Sequence, residues 1–152
     1  MDTKDRQIIR ELQKDGRLTN QELAERVNLS PSPCLRRVRN LEAEGVITGY
    51  TALVDQKAYG LPITVFVRVR LNSPSQDLIT GFEAQVQRID QILDCFLLAG
   101  SDDYLLRVIV DSLETYEAFM RRKLHAIPGI ASIDTSFAYG VVKQTRVFPV
   151  AS

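Results

Sequence analysis

Ser30-Pro31-Ser32-Pro33-Cys34-Leu35-Arg36-Arg37-Val38-Arg39-Asn40-Leu41-Glu42-Ala43-Glu44-Gly45 carries the start and stop marks of one helix. Ser30 suits the cap, Pro31 suits the first turn because its missing N–H would be unpaired there, and Gly45 allows a left-handed exit. At about 100° per residue, Cys34, Val38 and Leu41 fall on one apolar stripe that needs a core. Ser32, Arg36, Arg39 and Asn40 fall on the opposite side, with Arg37 on the flank. No acidic residue occurs between Val27 and Leu41, so the outward face holds three arginines with no local counter-charge. Such a face suits an anion.

Two shorter helices precede it. Asp2 and Asp5 have the spacing of an N-cap and its third helical residue, Ile8, Ile9 and Leu12 share one face, and the run ends before Gly16. Thr19 and Glu22 form a capping box for a second helix, whose face of Leu23, Ala24 and Val27 stops at Asn28, a residue that tolerates the left-handed conformation. The connection Val27-Asn28-Leu29 is the tight bend of a helix-turn-helix, so three short helices share one small core. In that arrangement the third helix lies in the major groove of double-stranded DNA with its N-terminal half at the base edges. Ser32 and Arg36, with Arg39 or Asn40, would lie at the bases, the small residues at the helix start, with Ser30 and Pro33 among the DNA-binding candidates, would allow close approach, and Arg37 would take a phosphate. Three arginines on an amphipathic helix also fit a plain solvated face. Two capped helices, a three-residue turn and a basic third helix together favour DNA binding.

The chain has 152 residues, 45% apolar and 25% charged, enough for one domain or two small ones with a packed core. Nineteen Lys and Arg balance nineteen Asp and Glu, so an affinity for polyanions must come from where charge is placed and not from net charge. The polar N-terminus is unlike a signal peptide, and no apolar run approaches the ~18 residues of a membrane span, so the expected address is the cytoplasm with no membrane partner. Cys34 and Cys95 sit in apolar stripes without metal-ligand spacing, which favours buried thiols over a disulfide framework or a metal site. No phosphate-cradling glycine loop or metal cluster is present, and the single His125 lies beside an apolar stripe. No cofactor and no enzymatic activity are expected.

From Val46 to Val54, β-branched and aromatic residues predict a strand-like connector, followed by a turn from Asp55 to Gly60. From Pro62 the pattern changes to period two: Ile63, Val65, Val67, Val69 and Leu71 alternate with Thr64, Phe66, Arg68 and Arg70. Leu78, Phe82, Val86 and Ile89 recur at helical spacing, Ile92 to Ala99 returns to strand, and Gly100 to Asp103 turns the chain. Tyr104 to Val110 is a strand. Asp111 and Glu114 are placed to cap a helix carrying Tyr116, Phe119, Met120, Leu124 and Ile127, and Ile130 to Val142 reads as the last strand. The sum is α+β: a helix-turn-helix domain over residues 1–48, a connector over 49–61, and a ferredoxin-like βαββαβ sandwich over 62–152. Phe66, Phe96, Leu98, Leu106, Val108 and Val110 would give the second sheet face more apolar area than one domain can hide.

These residues resemble the leucine-responsive regulatory protein/AsnC group of feast/famine transcription regulators across nearly the whole chain. The matching marks are Asp5-Arg6-Gln7-Ile8-Ile9, Gly16-Arg17-Leu18-Thr19, Glu22-Leu23-Ala24, Leu29-Ser30, Arg37-Val38, Leu41-Glu42, Gly45-Val46-Ile47, and Gly100 with Asp103-Tyr104-Leu105-Leu106. The resemblance implies a sequence-specific regulator whose sandwich dimerises through its sheets. It implies further association, often into octamers, and a small effector, usually an amino acid, bound between dimers. The effector residues it implies are Gly100, Asp102, Asp103 and Tyr104 in the turn and Thr135 and Ser136 in the last strand. Asp102 or Asp103 would accept from an ammonium, and turn amides or the two hydroxyls would bind a carboxylate. Gly-Ser-Asp-Asp is also an ordinary turn sequence in which Asp103 caps local amides.

Three alternatives stand beside the regulator: a DNA-compacting architectural protein with little sequence preference, an amino-acid metabolic enzyme, and a stand-alone amino-acid sensor. Cys34 admits two roles. At the start of a helix the dipole would lower its pKa and suit a redox or thiol sensor, whereas its place in the apolar stripe suits packing.

Overall fold

The computed structural model describes residues 1–149; residues 150–152, the end of the expected second domain, lie outside the described residues. The chain forms two compact units, Met1–Leu53 joined by the segment from Val142 onward, and Val54–Val141. Residues 142–149 therefore group with the first unit and not with the sandwich that precedes them.

In the first unit, α1 spans Thr3–Lys14, α2 Asn20–Arg26 and α3 Pro31–Ala43. Both expected capping boxes are made: the Asp2 and Asp5 side chains each accept the other's backbone N–H, and Thr19 and Glu22 do the same. Asn28 ends α2 in the left-handed region at φ 52° and Gly45 follows α3 at φ 70°. Ser30, however, makes no side-chain cap bond; its carbonyl accepts the Cys34 N–H, and Pro31 opens the helix without needing a cap for its own nitrogen. Ile8, Leu23, Ala24, Val27, Cys34 and Leu41 make the core, with Ile8 and Cys34 fully buried. Gln13 binds the C-terminal segment at two points, donating to the Arg146 carbonyl and accepting from the Phe148 N–H.

The expected strand-like connector is not a strand: residues 46–54 have no ladder partner among the described residues, and Leu53 and Val54 are about two-thirds exposed. β-Branched side chains favour extended backbone, but a strand exists only where another strand accepts its hydrogen bonds. The turn at Asp55 to Gly60 forms as read, with the Asp55 carboxylate accepting the Ala58 N–H.

The second unit is the expected sandwich. Strands β1 (Ile63–Leu71), β2 (Ile92–Leu97), β3 (Tyr104–Val110) and β4 (Ile130–Phe137) form one antiparallel sheet in the order β2-β3-β1-β4. Helices α4 (Gln76–Val86) and α5 (Leu113–Phe119), the latter continuing as a π-turn over Met120–Leu124, cover one face. That face buries Val65, Val67, Val69 and Leu71 of β1 against Phe82 and Val86 of α4 and Phe119 and Leu124 of the second helical segment. The cap of α5 is Ser112 with Thr115, one residue later than the sequence suggested, and β4 ends at Phe137 and not at Val142.

β3 corrects the reading of the open face. Val67 pairs with Leu106 and Val65 with Val108, so Leu106, Val108 and Val110 lie on the helix side and are fully buried. The open face presents Phe66, Phe96, Leu105 and Ile109 instead, with Phe66 36% and Phe96 55% exposed. Both parities of Leu105-Leu106-Arg107-Val108-Ile109-Val110 are apolar, so its alternation alone leaves the strand's facing undetermined and the register decides it.

Candidate nucleic-acid interface and effector turn

α3 meets its own domain along Cys34, Val38 and Leu41, leaving Ser30, Ser32, Arg36, Arg39 and Asn40 exposed and Pro33 half-buried. Among the described residues, Arg36 and Arg39 enter no ion pair. Their charge is available to a polyanion, and an arginine fork matches a guanine edge or a phosphate.

Arg37 is placed differently from the free phosphate ligand that the sequence suggested. Its Nη1 donates to Asp2 Oδ2 at 2.7 Å and to Asp5 Oδ1 at 2.8 Å. The same bonds raise the Arg37 pKa, Asp5 contributing most. The Asp5 backbone amide, then the Arg37 guanidinium, hold the Asp2 carboxyl down at about 2. Sequence reasoning missed this pairing because the partners are over thirty positions apart, although two carboxylates one turn apart at a helix start were a signal.

Asn20 was missed as well. Its side-chain N–H donates to the Pro31 carbonyl at 2.8 Å and ties the start of α2 to the start of α3, while its buried Oδ1 has no partner among the described residues. Lys4 donates to the Val27 carbonyl at 2.6 Å and closes the end of α2. The turn between α2 and α3 is thus bounded by polar ties at both sides. Burial raises the Cys34 thiol pKa, opposite to the direction that a sensor at a helix start would need, so the structure gives Cys34 a packing role.

In the second unit, the six expected effector residues lie in different settings. Gly100 is exposed and Asp102 half-exposed, in the turn between β2 and β3, and no hydrogen bond to the Asp102 side chain occurs among the described residues. Asp103 is engaged: its Oδ2 accepts the Leu71 N–H at 2.7 Å, its own N–H donates to the Val69 carbonyl, and its carbonyl accepts from Leu98. Tyr104 is a core residue, 2% exposed, with its ring 4.5 Å from that of Phe82 and its hydroxyl donating to Glu83. Burial, then the Glu83 carboxylate, push its phenol pKa up. Thr135 and Ser136 are neighbours in β4 and point to opposite faces. The Thr135 hydroxyl shares a 2.7 Å hydrogen bond with the Tyr116 hydroxyl on the helix side, and Ser136 pairs with Phe66 on the open side. The single chain therefore does not gather these residues into one cavity.

A cleft of about 500 Å³ lies between β4 and the π-turn, lined by Met120, His125, Ile133, Thr135 and the segment from Ile127 to Ser132. Its lining is mixed, with Ser132, Thr135 and His125 as polar side chains among apolar ones. Among the described residues no cluster of three His, Cys, Asp or Glu could hold a metal ion, and no helix is long and apolar enough to cross a membrane.

Residues 1–48 match the model of winged helix-turn-helix DNA-binding domains, and residues 64–148 match that of the Lrp/AsnC ligand-binding domain. The chain is 42% identical over 146 residues to the leucine-responsive regulatory protein of Salmonella typhimurium, covering 96% of this chain and 89% of that one. It is 41% identical over the same length and shares to its counterpart in Escherichia coli. Among solved structures, a transcriptional regulator of Neisseria meningitidis in complex with L-Met is 37% identical with a TM-score of 0.93, over 98% of this chain and 96% of that one. An AsnC family regulator from Agrobacterium tumefaciens is 36% identical, also with a TM-score of 0.93, over 98% and 97%. With a basic, outward-facing α3 in its first unit and a four-stranded sandwich in its second, this chain belongs to the Lrp/AsnC family of transcription regulators.

Proposed function

We propose that α3 reads operator DNA through Ser32, Arg36, Asn40 and Arg39, that Ser30 and Pro33 permit its close approach, and that the sandwich senses an amino acid. The observation that carries the DNA reading is the pair of exposed arginines, Arg36 and Arg39, outside every ion pair among the described residues on a helix whose other side is a packed core. The N. meningitidis relative solved with L-Met supports an amino-acid effector, and methionine is the first ligand to test. Asp102 is the better acceptor for its ammonium, because Asp103 is already committed to the Leu71 amide. Turn amides beside Gly100 and the hydroxyls of Thr135 and Ser136 are the matching donors, brought together between subunits rather than within one. Phe66, Phe96, Leu105 and Ile109 on the open sheet face support dimerisation through the sheets, and dimers would then assemble further. The function is binding and not catalysis, consistent with relatives named as regulators.

The effector reading is tested by calorimetric titration of the full chain with L-Met and the other common amino acids, beside an Asp102→Asn variant of unchanged circular dichroism. Binding by the wild type that the variant loses is expected. No binding by any amino acid, or equal binding by the variant, would remove the turn from the sensor.

A further inference from the structure

We infer that Arg37, with Asp2 and Asp5, is a positioning residue that sets how α3 is rolled toward DNA, and that it is not one of the phosphate contacts. This rests on α3 being the groove helix. Arg37 lies beside the buried stripe, three positions after Cys34 and four before Leu41, so its side chain leaves α3 at the edge of the domain core. Its Nη1 bridges two carboxylates on α1 at 2.7 and 2.8 Å.

Each carboxylate is used twice. Asp2 Oδ1 accepts the Asp5 N–H at 2.9 Å while Oδ2 accepts from Arg37, and Asp5 Oδ2 accepts the Asp2 N–H at 2.8 Å while Oδ1 accepts from Arg37. The capping box of α1 is thereby a rigid receptor for the α3 guanidinium. A stripe of only Cys34, Val38 and Leu41 sets the depth of α3 but resists rotation about its axis weakly. A charged tie at the stripe's edge fixes that rotation, and with it the direction of Ser32, Arg36 and Asn40. One positive charge facing two negative ones leaves the cluster at net −1, which does not favour an additional phosphate. α3 then offers DNA two uncompensated arginines and not three.

The two roles differ in sign. If Arg37 binds phosphate, removing an acidic partner frees it and tightens DNA binding. If it positions α3, the same change loosens binding. The experiment uses the full chain and a duplex selected from a random pool, with affinity measured across a salt series for Arg37→Gln, Asp5→Asn, the double variant and Arg36→Ala. Positioning is expected to weaken Arg37→Gln and Asp5→Asn about tenfold each at wild-type salt slope, with the double variant no weaker than the worse single one. A slope reduced by about 0.9 in Arg37→Gln, the amount for one lost phosphate contact, or tighter binding by Asp5→Asn, overturns the proposal. Should either variant be unfolded by circular dichroism, Asp2→Asn takes its place, because Asp5 and Arg37 stay paired in it: weaker binding at unchanged slope supports positioning, and equal or tighter binding overturns it. Arg36→Ala separates the two levels, since unchanged affinity there would instead mean that α3 is not the groove helix.

Discussion

Asp103→Ala should destabilise the sandwich before it affects any ligand. The Asp103 carboxylate accepts the Leu71 N–H at 2.7 Å, at the point where the β1–β4 register shifts between Arg70 and Leu71. The same residue's backbone joins Val69 and Leu98 and so closes the β2–β3 turn onto β1. Removing the carboxylate leaves the Leu71 amide at the sheet's end without its acceptor. Hydrogen bonds to charged groups contribute about 1.5–3 kcal/mol, and the half-exposed Asp103 allows water to compensate in part, so a loss of about 1–2 kcal/mol is expected. With a urea m-value on the order of 1 kcal/mol per M for a unit this small, the midpoint should fall by about 1–2 M. Near-UV circular dichroism of the buried Tyr104 follows this unit, and amide exchange at Leu71 reports the bond itself. Asp103→Asn, which keeps an acceptor oxygen, should recover most of the loss. A wild-type midpoint with undiminished Leu71 protection in Asp103→Ala would refute the reasoning and return Asp103 to the effector site.

Gly129 sits at φ 87°, and a Cβ there would meet Leu78 Cδ2 at 2.5 Å, so Gly129→Ala should cost about 1–2 kcal/mol in the same urea assay; an unchanged midpoint would count against that close approach. The Asp2 carboxyl, lowered from 3.8 to about 2, contributes stability that is complete above its unfolded value and disappears as pH falls through about 2. An NMR titration of its carboxyl carbon should therefore find the midpoint near 2, and a midpoint near 3.8 would mean that the bond from the Asp5 amide and the tie to Arg37 are both absent in solution. Light scattering of the full chain at micromolar concentration should find dimers or larger assemblies, because Phe66 and Phe96 remain exposed on the open sheet face; a monomer would contradict the sheet-to-sheet reading.

Features written in adjacent residues were legible before the structure. The capping pairs Asp2/Asp5 and Thr19/Glu22, the left-handed Asn28 and the period-two run of β1 all act over a few positions, and each appears as read. Features that depend on a distant partner were not. Val46 to Val54 has strand composition but no ladder to join, and β3 is apolar on both parities until its pairing with β1 chooses the buried one. The candidate site divides the same way. Arg36 and Arg39 keep the outward positions that helical spacing gave them, whereas Arg37 and Asp103, equally polar in the sequence, are taken up by Asp2 and Asp5 and by the Leu71 amide. A charged residue's composition does not reveal whether the fold has already supplied its counter-ion.

The role proposed for α3 is sequence readout through Arg36. It is tested most directly by fluorescence anisotropy of wild type and Arg36→Ala, at one salt concentration, on the selected duplex and on a scrambled one. Loss of a bidentate base contact should weaken binding to the selected duplex by about 1–3 kcal/mol, while the scrambled duplex loses no more than one phosphate's worth of affinity, so the ratio between them collapses. An unchanged ratio, with both affinities intact or both lowered alike, would contradict it.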